Sequence, residues 1–235
     1  MVRQVAFAVV AGLGLAACSQ VNPPADVLDC EAVEGVLACS TFEADDPPWT
    51  PVVDRGVIVL DDVEPSGGRK SLHPTVAVGG GKAAWARSLA PVDHYYARFQ
   101  LRVPTAADGT GLAVLHLGEA VAPFDGTNVE IAGGNLGVGV ATAGVFAYPA
   151  PVPRDRWVCV ELELEVSDTA GHVIVRADGA PVVDRAGIDT LPAGGFGDVE
   201  VGLSYVAPEA ASGTTVLIDD LAIASQPLAP CSTMP

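Results

Sequence analysis

The sequence predicts an all-β fold, an antiparallel two-sheet β-sandwich, and three observations predict it. Apolar and polar side chains alternate with a period of two. Along 94–103, Tyr95, Ala97, Phe99, Leu101 and Val103 fall on one face and Tyr96, Arg98, Gln100 and Arg102 on the other. Along 158–166, Val158, Val160, Leu162, Leu164 and Val166 oppose Cys159, Glu161, Glu163 and Glu165. Turn formers punctuate the chain, with 26 Gly and 19 Pro in 235 residues. Beyond the first thirty or so positions, no segment of helical length carries a 3.6-residue apolar period with caps.

The elements follow in order. Candidate strands are 39–43, 56–60, 70–78, 83–90, 94–103, 111–118, 127–132, 136–141, 144–148, 157–166, 172–177, 181–184, 199–206 and 214–224. Their spacing, with turn residues between, is that of a sandwich or barrel. Asp178-Gly179, between HVIVRA and APVVD, marks a two-residue hairpin. Asp125-Gly126-Thr127-Asn128 reads as a loop. Trp49, Trp85 and Trp157 are expected in the core, where large aromatics dominate. No internal repeat and no linker interrupts the stretch from Phe42 to Ala224.

Composition bounds the function. Lys and Arg number 12 against 29 Asp and Glu, a net charge of −17. That balance excludes nucleic acid as a partner, because nothing replaces phosphate counterions over a broad face. It also excludes docking on an anionic lipid surface by charge. At 49% hydrophobic residues the chain is not a disordered one. A body of this size buries roughly 70% of its unfolded surface and needs no metal or disulfide merely to fold.

Residues 1–17 have signal-peptide proportions: Arg3, then an apolar run from Val5 to Ala17 that is too short to span a bilayer. The run ends in Leu15-Ala16-Ala17-Cys18, which resembles the bacterial lipobox. The resemblance implies cleavage before Cys18, lipidation of its thiol and attachment to the cell envelope. Ser19 after the cysteine is similar to the outer-membrane sorting pattern. Residues 18–38 then form a lipid-anchored tether and N-terminal loop, with a Pro-Pro pair at 23–24. Residues 39–235 form the sandwich domain and its tail. Four cysteines remain, and three pairings are open. The preferred one joins Cys30 to Cys39 across a local loop and Cys159 to Cys231, tying the tail to a central strand. With no CxxC and no Cys/His cluster, neither a zinc site nor a redox pair is supported.

STFEADDPPW, PSGGRKSLH, the Trp-led strand RWVCVELELEV with GHVIVRADGAPVVD after it, and the closing VLIDDLAIAS together resemble bacterial concanavalin A-like (LamG-like) jelly rolls, the lectin/glucanase superfamily. The opening and closing strings are also similar to carbohydrate-binding modules with a galactose-binding-type jelly roll. Both imply an antiparallel sandwich, and the DG hairpin after the Trp strand favours the lectin-like one.

Catalysis has two candidate forms. Glu161, Glu163 and Glu165 look like the ExDxE strand of laminarinase-type glycoside hydrolases, where alternate carboxylates share a face. Here Glu163 replaces the central Asp, and the triplet lies on the Trp-led strand rather than before it. The triplet is therefore read as a solvated strand face, paired in part with Arg98 and Arg102 across the sheet. Tyr96, Arg98, Gln100 and His116 are the residue types that jelly-roll polysaccharide lyases use to neutralise a uronate and abstract its proton. The characteristic strings of those lyases are absent. No nucleophile elbow, phosphate loop or dinucleotide fingerprint is present.

The preferred function is a non-catalytic, lectin-like module at the cell envelope that binds polysaccharide. Its candidate contacts are Tyr96, Arg98, Gln100, His116, Asn128 and Glu130, on the expectation that their strands share one concave sheet. The alternatives are a polysaccharide lyase or glycoside hydrolase, and an envelope structural or protein-interaction lipoprotein. The resemblance also implies a structural Ca²⁺ held by Glu43, the turn at 67–70 and Asp219 or Asp220, fastening the first strand to the last.

Overall fold

The computed structural model describes residues 28–43, 49–63, 65–107, 111–119, 125–210 and 213–231. Cys18, the signal segment and the tether as far as residue 27 lie outside the described residues.

Strands numbered in chain order form two antiparallel sheets. One sheet has nine strands, in the spatial order β13 (Ala180–Ile188), β12 (Gly171–Ala177), β11 (Trp157–Glu165), β6 (His94–Arg102), β16 (Leu217–Ala224), β4 (Ser71–Val76) and β15 (Thr214–Thr215). β1 (Val36–Ser40) also pairs with β16, and β3 (Gly56–Asp61) with β4. The other sheet has seven: β10 (Val145–Pro151), β9 (Asn135–Val140), β8 (Gly126–Ala132), β7 (Leu112–Gly118), β14 (Asp198–Val206), β5 (Gly81–Ser88) and β2 (Thr50–Asp54). Helix among the described residues is limited to a 3₁₀ turn at Cys30–Ala32 and to Cys231.

The alternation read from the sequence is the alternation that packs the core. Tyr95, Phe99 and Leu101 of β6 and Val158, Val160, Leu162 and Leu164 of β11 are buried on the inner face of the nine-stranded sheet. Leu115 and Leu117 of β7, Val129 and Ile131 of β8, and Val199 and Val201 of β14 meet them from the seven-stranded sheet. Each such side chain contributes about 1.5–3 kcal/mol when fully buried. Tyr95 packs its ring 5.2 Å from Phe196, and its hydroxyl donates to the Ala90 carbonyl, so the phenol is satisfied inside the core.

Asp178 and Gly179 turn β12 into β13 with φ of 50° and 76°, both in the left-handed region that a type I′ hairpin demands. The favoured cystine pairing is the one present: Cys30–Cys39 and Cys159–Cys231.

Several expectations are corrected. β2 was not anticipated: TPVVD carries a proline, which an edge strand tolerates because one side of its ladder is unpaired. The predicted strand 214–224 is interrupted at Val216, giving β15 and β16. Gly126, Thr127 and Asn128 begin β8 rather than forming a loop. Trp49 and Trp85 pack against the core, but Trp157 shares the parity of Cys159 and Glu161 and so lies on the outer face of its sheet. Arg102 stands opposite Trp157, not opposite a glutamate.

Candidate functional site

The predicted contacts do not share a sheet. Tyr96, Arg98 and Gln100 project from β6 onto the outer face of the nine-stranded sheet. His116, Asn128 and Glu130 project from β7 and β8 onto the outer face of the seven-stranded one. The expectation of one shared concave sheet is therefore corrected. Alternation assigns faces within a strand but not the sheet to which the strand belongs.

The first group is largely taken up by the chain's own tail. Arg98 is 8% exposed and donates from Nη1 to the Ala229 carbonyl. Burial lowers its pKa, opposed by the carboxylates of Asp220 and Glu161. The Cys231 amide donates to Glu161 Oε1 at 3.0 Å, and the Cys159–Cys231 bridge fixes the end of the tail. A cavity of about 260 Å³ remains beside Tyr96 and Arg98, under Pro227, Leu228 and Pro230. Glu163 is bridged by Arg176 at 3.3 Å. Burial and the charges of Glu163 and Glu165 raise the pKa of Tyr96, whose ring lies 6.4 Å from His94 at an interplanar angle of 10°. Gln100 stands between Cys159 and Asp219 on the flanking strands.

The second group is joined by residues that sequence reasoning missed. One cross-strand row runs Thr50, Ala86, Glu200, His116, Asn128, Gly139, Phe146, crossing every strand of the seven-stranded sheet. The adjoining row carries Tyr205, Ala113, Glu130 and Gly137. Thr127, Val129 and Ile131 point inward, so Asn128 and Glu130 point out.

Hydrogen bonds tie these groups in pairs. Asn128 Oδ1, an amide oxygen that can only accept, faces His116 Nδ1 at 2.7 Å. Nδ1 therefore carries a proton, and in the neutral imidazole Nε2 has a lone pair. His116 is 2% exposed, and among the described residues its Nε2 meets no hydrogen-bond partner. Such a buried, unmet polar atom is costly unless something outside the chain pairs with it. At the other end, Tyr148 donates to Glu130 Oε2. Burial raises the pKa of Glu130 against the lowering effect of Tyr148 and Asn128, and burial with the Glu130 contact raises that of Tyr148.

Two glycines make this possible. A Cβ on Gly139 would lie 2.5 Å from Glu130 Oε1, and one on Gly137 would lie 1.8 Å from the Ala147 carbonyl oxygen. The bare backbone of β9 lets the carboxylate lie across it toward Tyr148. Phe146, opposite Gly139, is 60% exposed and leaves an aromatic ring open beside the polar row. On the far side, Glu200 holds Lys82 with both carboxylate oxygens at 2.8 Å. The sequence carried faint signals for these: the alternate glycines of NLGVGV, and a lone glutamate inside the apolar run DVEVGL.

At the expected calcium site, hard oxygen donors do meet at one turn. Glu43 Oε1 accepts from the Arg69 and Lys70 amides at 2.6 and 2.9 Å, and Asp219 Oδ2 from the Ser66 and Gly67 amides at 2.9 and 3.3 Å. Asp220, at φ 49°, forms a bulge in β16, and its Oδ1 accepts from the Leu28 amide at 3.2 Å. Burial and the adjacent Asp220 push the Asp219 carboxyl up to about 7. Such carboxylates suit a hard divalent ion. Among the described residues no three His, Cys, Asp or Glu side chains gather as a metal cluster, so an ion here would draw on backbone oxygens of the turn as well.

No protein-family model matches the chain, and no curated protein matches it. Solved structures do. Cellulose-induced protein Cip1 is 17% identical, with 81% of this chain and 98% of that one covered at a TM-score of 0.63. An endo-β-1,4-glucuronan lyase from the fungus Trichoderma reesei is 14% identical, with 77% and 92% covered at 0.62. Alginate lyase Aly36B is 10% identical, with 76% and 100% covered at 0.51. At these identities the likeness is one of fold, and the chain is a jelly-roll β-sandwich of the kind these structures share.

Proposed function

We propose that the protein is a lectin-like module that binds polysaccharide, without cleaving it, on the outer face of its seven-stranded sheet. The observation that carries this reading is the row His116–Asn128–Glu130–Tyr148 beside the exposed ring of Phe146. Sugar recognition asks for an aromatic plane against the ring C–H groups and fixed polar atoms for the hydroxyls. Both are present, and the polar atoms hold one another in place before any ligand arrives.

The same row contains a histidine whose Nε2 meets no hydrogen-bond partner among the described residues, the residue type a lyase uses as base. Purified protein incubated with alginate, pectin and glycosaminoglycans distinguishes the two readings. Binding without ultraviolet absorbance from an unsaturated sugar is expected; its appearance, lost in His116→Ala, overturns the non-catalytic reading.

Anchorage belongs to the same proposal: Cys18 is lipidated and the module is held in the envelope, at the outer membrane. Cys18→Ala is expected to move the protein from the membrane fraction to the soluble one. A structural Ca²⁺ at Glu43 and Asp219 completes it.

A further inference from the structure

A sheet edge exposes unpaired backbone groups, and most edges of this sandwich are guarded. β2 carries Pro51, β13 carries Pro181, and β10 carries Pro149 and Pro151; the ladders of β10 and β13 are also broken in register. β3 has no such guard. Its sequence GVIVLD holds no proline and no charge before Asp61, and it pairs with β4 in unbroken register from Gly56–Val76 to Asp61–Ser71. Among the described residues no strand pairs with its other edge. Of the eight exposed large apolar side chains among the described residues, five (Val53, Val57, Val59, Val63 and Val78) lie on β2, on β3 or just beyond the ends of β3 and β4, so apolar exposure gathers at this flank.

One contact fixes which backbone groups of β3 are free. The Ala77 amide donates to the Arg55 carbonyl at 3.0 Å, and bonded and non-bonded pairs alternate along an antiparallel ladder. Arg55, Val57, Val59 and Asp61 therefore bond toward β4, and the N–H and C=O groups of Gly56, Ile58 and Leu60 point to the open side. Pro74, which has no N–H, stands opposite Ile58 in agreement with this. Two such edges related by a two-fold axis at Ile58 set Ile58 against its copy and Gly56 against Leu60, so that every free group meets a free group. The same register puts Val57 opposite Val59 and Arg55 opposite Asp61 of the second copy. A shift of two residues either way separates Arg55 from Asp61, and a shift of one sets free groups against committed ones.

We infer that β3 pairs with β3 of a second copy in this register, extending the nine-stranded sheet across a homodimer. The inference stands apart from the polysaccharide reading. Charge complementarity supports it: the Arg55 side chain is 56% exposed, and its five N–H groups outnumber its contacts with Asp54 and the Gly79 carbonyl. Asp61 accepts from the Val63 amide and faces His73, which leaves lone pairs for a guanidinium. One strand pair is a small interface and the net charge of −17 opposes it, so the dimer is a dissociable one, with a Kd on the order of 10 µM. The two-fold axis of an antiparallel pair stands normal to the sheet. Both copies therefore turn their seven-stranded sheets the same way, and one long polymer can meet two faces at once.

Disulfide trapping tests this on the full chain. Chains carrying Val57→Cys and Val59→Cys, one of them tagged for size, are mixed at about 50 µM, oxidised in air and resolved by non-reducing electrophoresis. Directly opposed residues of a non-bonded pair have Cβ atoms about 5 Å apart, so the mixed dimer is expected about fivefold or more in excess of either self-linked dimer. Arg55→Glu or Asp61→Lys, placed in both chains, is expected to lower its yield about fivefold, and the two together to restore it, which damage to folding would not do. An excess of a self-linked dimer overturns the register, and a double variant that restores nothing overturns the charge pairing. A yield no higher than that of Leu191→Cys, exposed in the loop after β13, overturns the dimer. In that case slow alkylation of Val57→Cys marks an edge covered by this chain's own residues, and prompt alkylation marks one left to a strand of another protein.

Discussion

His116 and Asn128 stand directly opposite one another on β7 and β8, with Nδ1 and Oδ1 2.7 Å apart. An amide oxygen can only accept, so the ring is the donor. The orientation of one side chain thereby sets the proton position of the other.

Asn128→Ala is expected to weaken polysaccharide binding about tenfold, the loss of one positioned hydrogen-bonded group. The circular dichroism spectrum should stay that of the parent. Nitrogen chemical shifts of His116 should move from a single Nδ1–H tautomer toward a mixture. An unchanged tautomer would show that Asn128 does not set it.

The glycines of β9 should not be equivalent. Gly137→Ala drives a Cβ against a backbone oxygen, and Gly139→Ala against a carboxylate at the end of a side chain. Denaturant titration should place Gly137→Ala about 2 kcal/mol or more below the parent and Gly139→Ala nearer 1 kcal/mol. Gly139→Ala should nevertheless lose the greater share of binding relative to its stability, because it displaces Glu130 alone.

Glu130 has its pKa raised, by burial above all, from an ordinary value of 4.5. The folded state keeps this proton to a higher pH than the unfolded chain does. Between 4.5 and the raised folded value the folded state binds more protons, so its contribution to stability declines as pH rises and is level beyond. Tm measured against pH should show that decline in the parent, and Glu130→Gln should flatten it.

Both cystines stabilise, but unequally. Loop-closure entropy gives about 2.5 kcal/mol for the nine-residue separation of Cys30–Cys39 and about 4 kcal/mol for the 72-residue separation of Cys159–Cys231. The double replacement Cys159→Ser, Cys231→Ser should lower Tm more than Cys30→Ser, Cys39→Ser. It should also release Ala229 from Arg98 and make the tail the first site of proteolysis.

Calcium should raise Tm, and a chelator should reverse the rise. Asp219→Asn should remove the response while an alanine at exposed Val53 leaves it intact. A Tm indifferent to both ion and chelator would leave the turn held by its amide contacts alone.

Much of the fold was legible because inward and outward faces of β6 and β11 are written in strict alternation, and because Asp178-Gly179 has one favoured use. β2 was hidden, since Pro51 and the short apolar pair Val52-Val53 resemble a loop. The site was half legible. His116, Asn128 and Glu130 are polar residues in otherwise apolar strands, so burial made them conspicuous. Tyr96 and Arg98 have the same appearance, yet the tail that occupies them is more than a hundred residues away in sequence. Tyr148 and Phe146 matter only through register with β9, and Glu200 through register with β7; register between distant strands has no local signature.

The start of the described chain at Leu28 is held by Asp220 of β16, and its end at Cys231 by Cys159 of β11. Both ends of the described chain are thus moored to the same layer. A tether entering ahead of Leu28 would carry the molecule with its moored side toward the support. The row headed by His116 would then look outward, where long polymers pass.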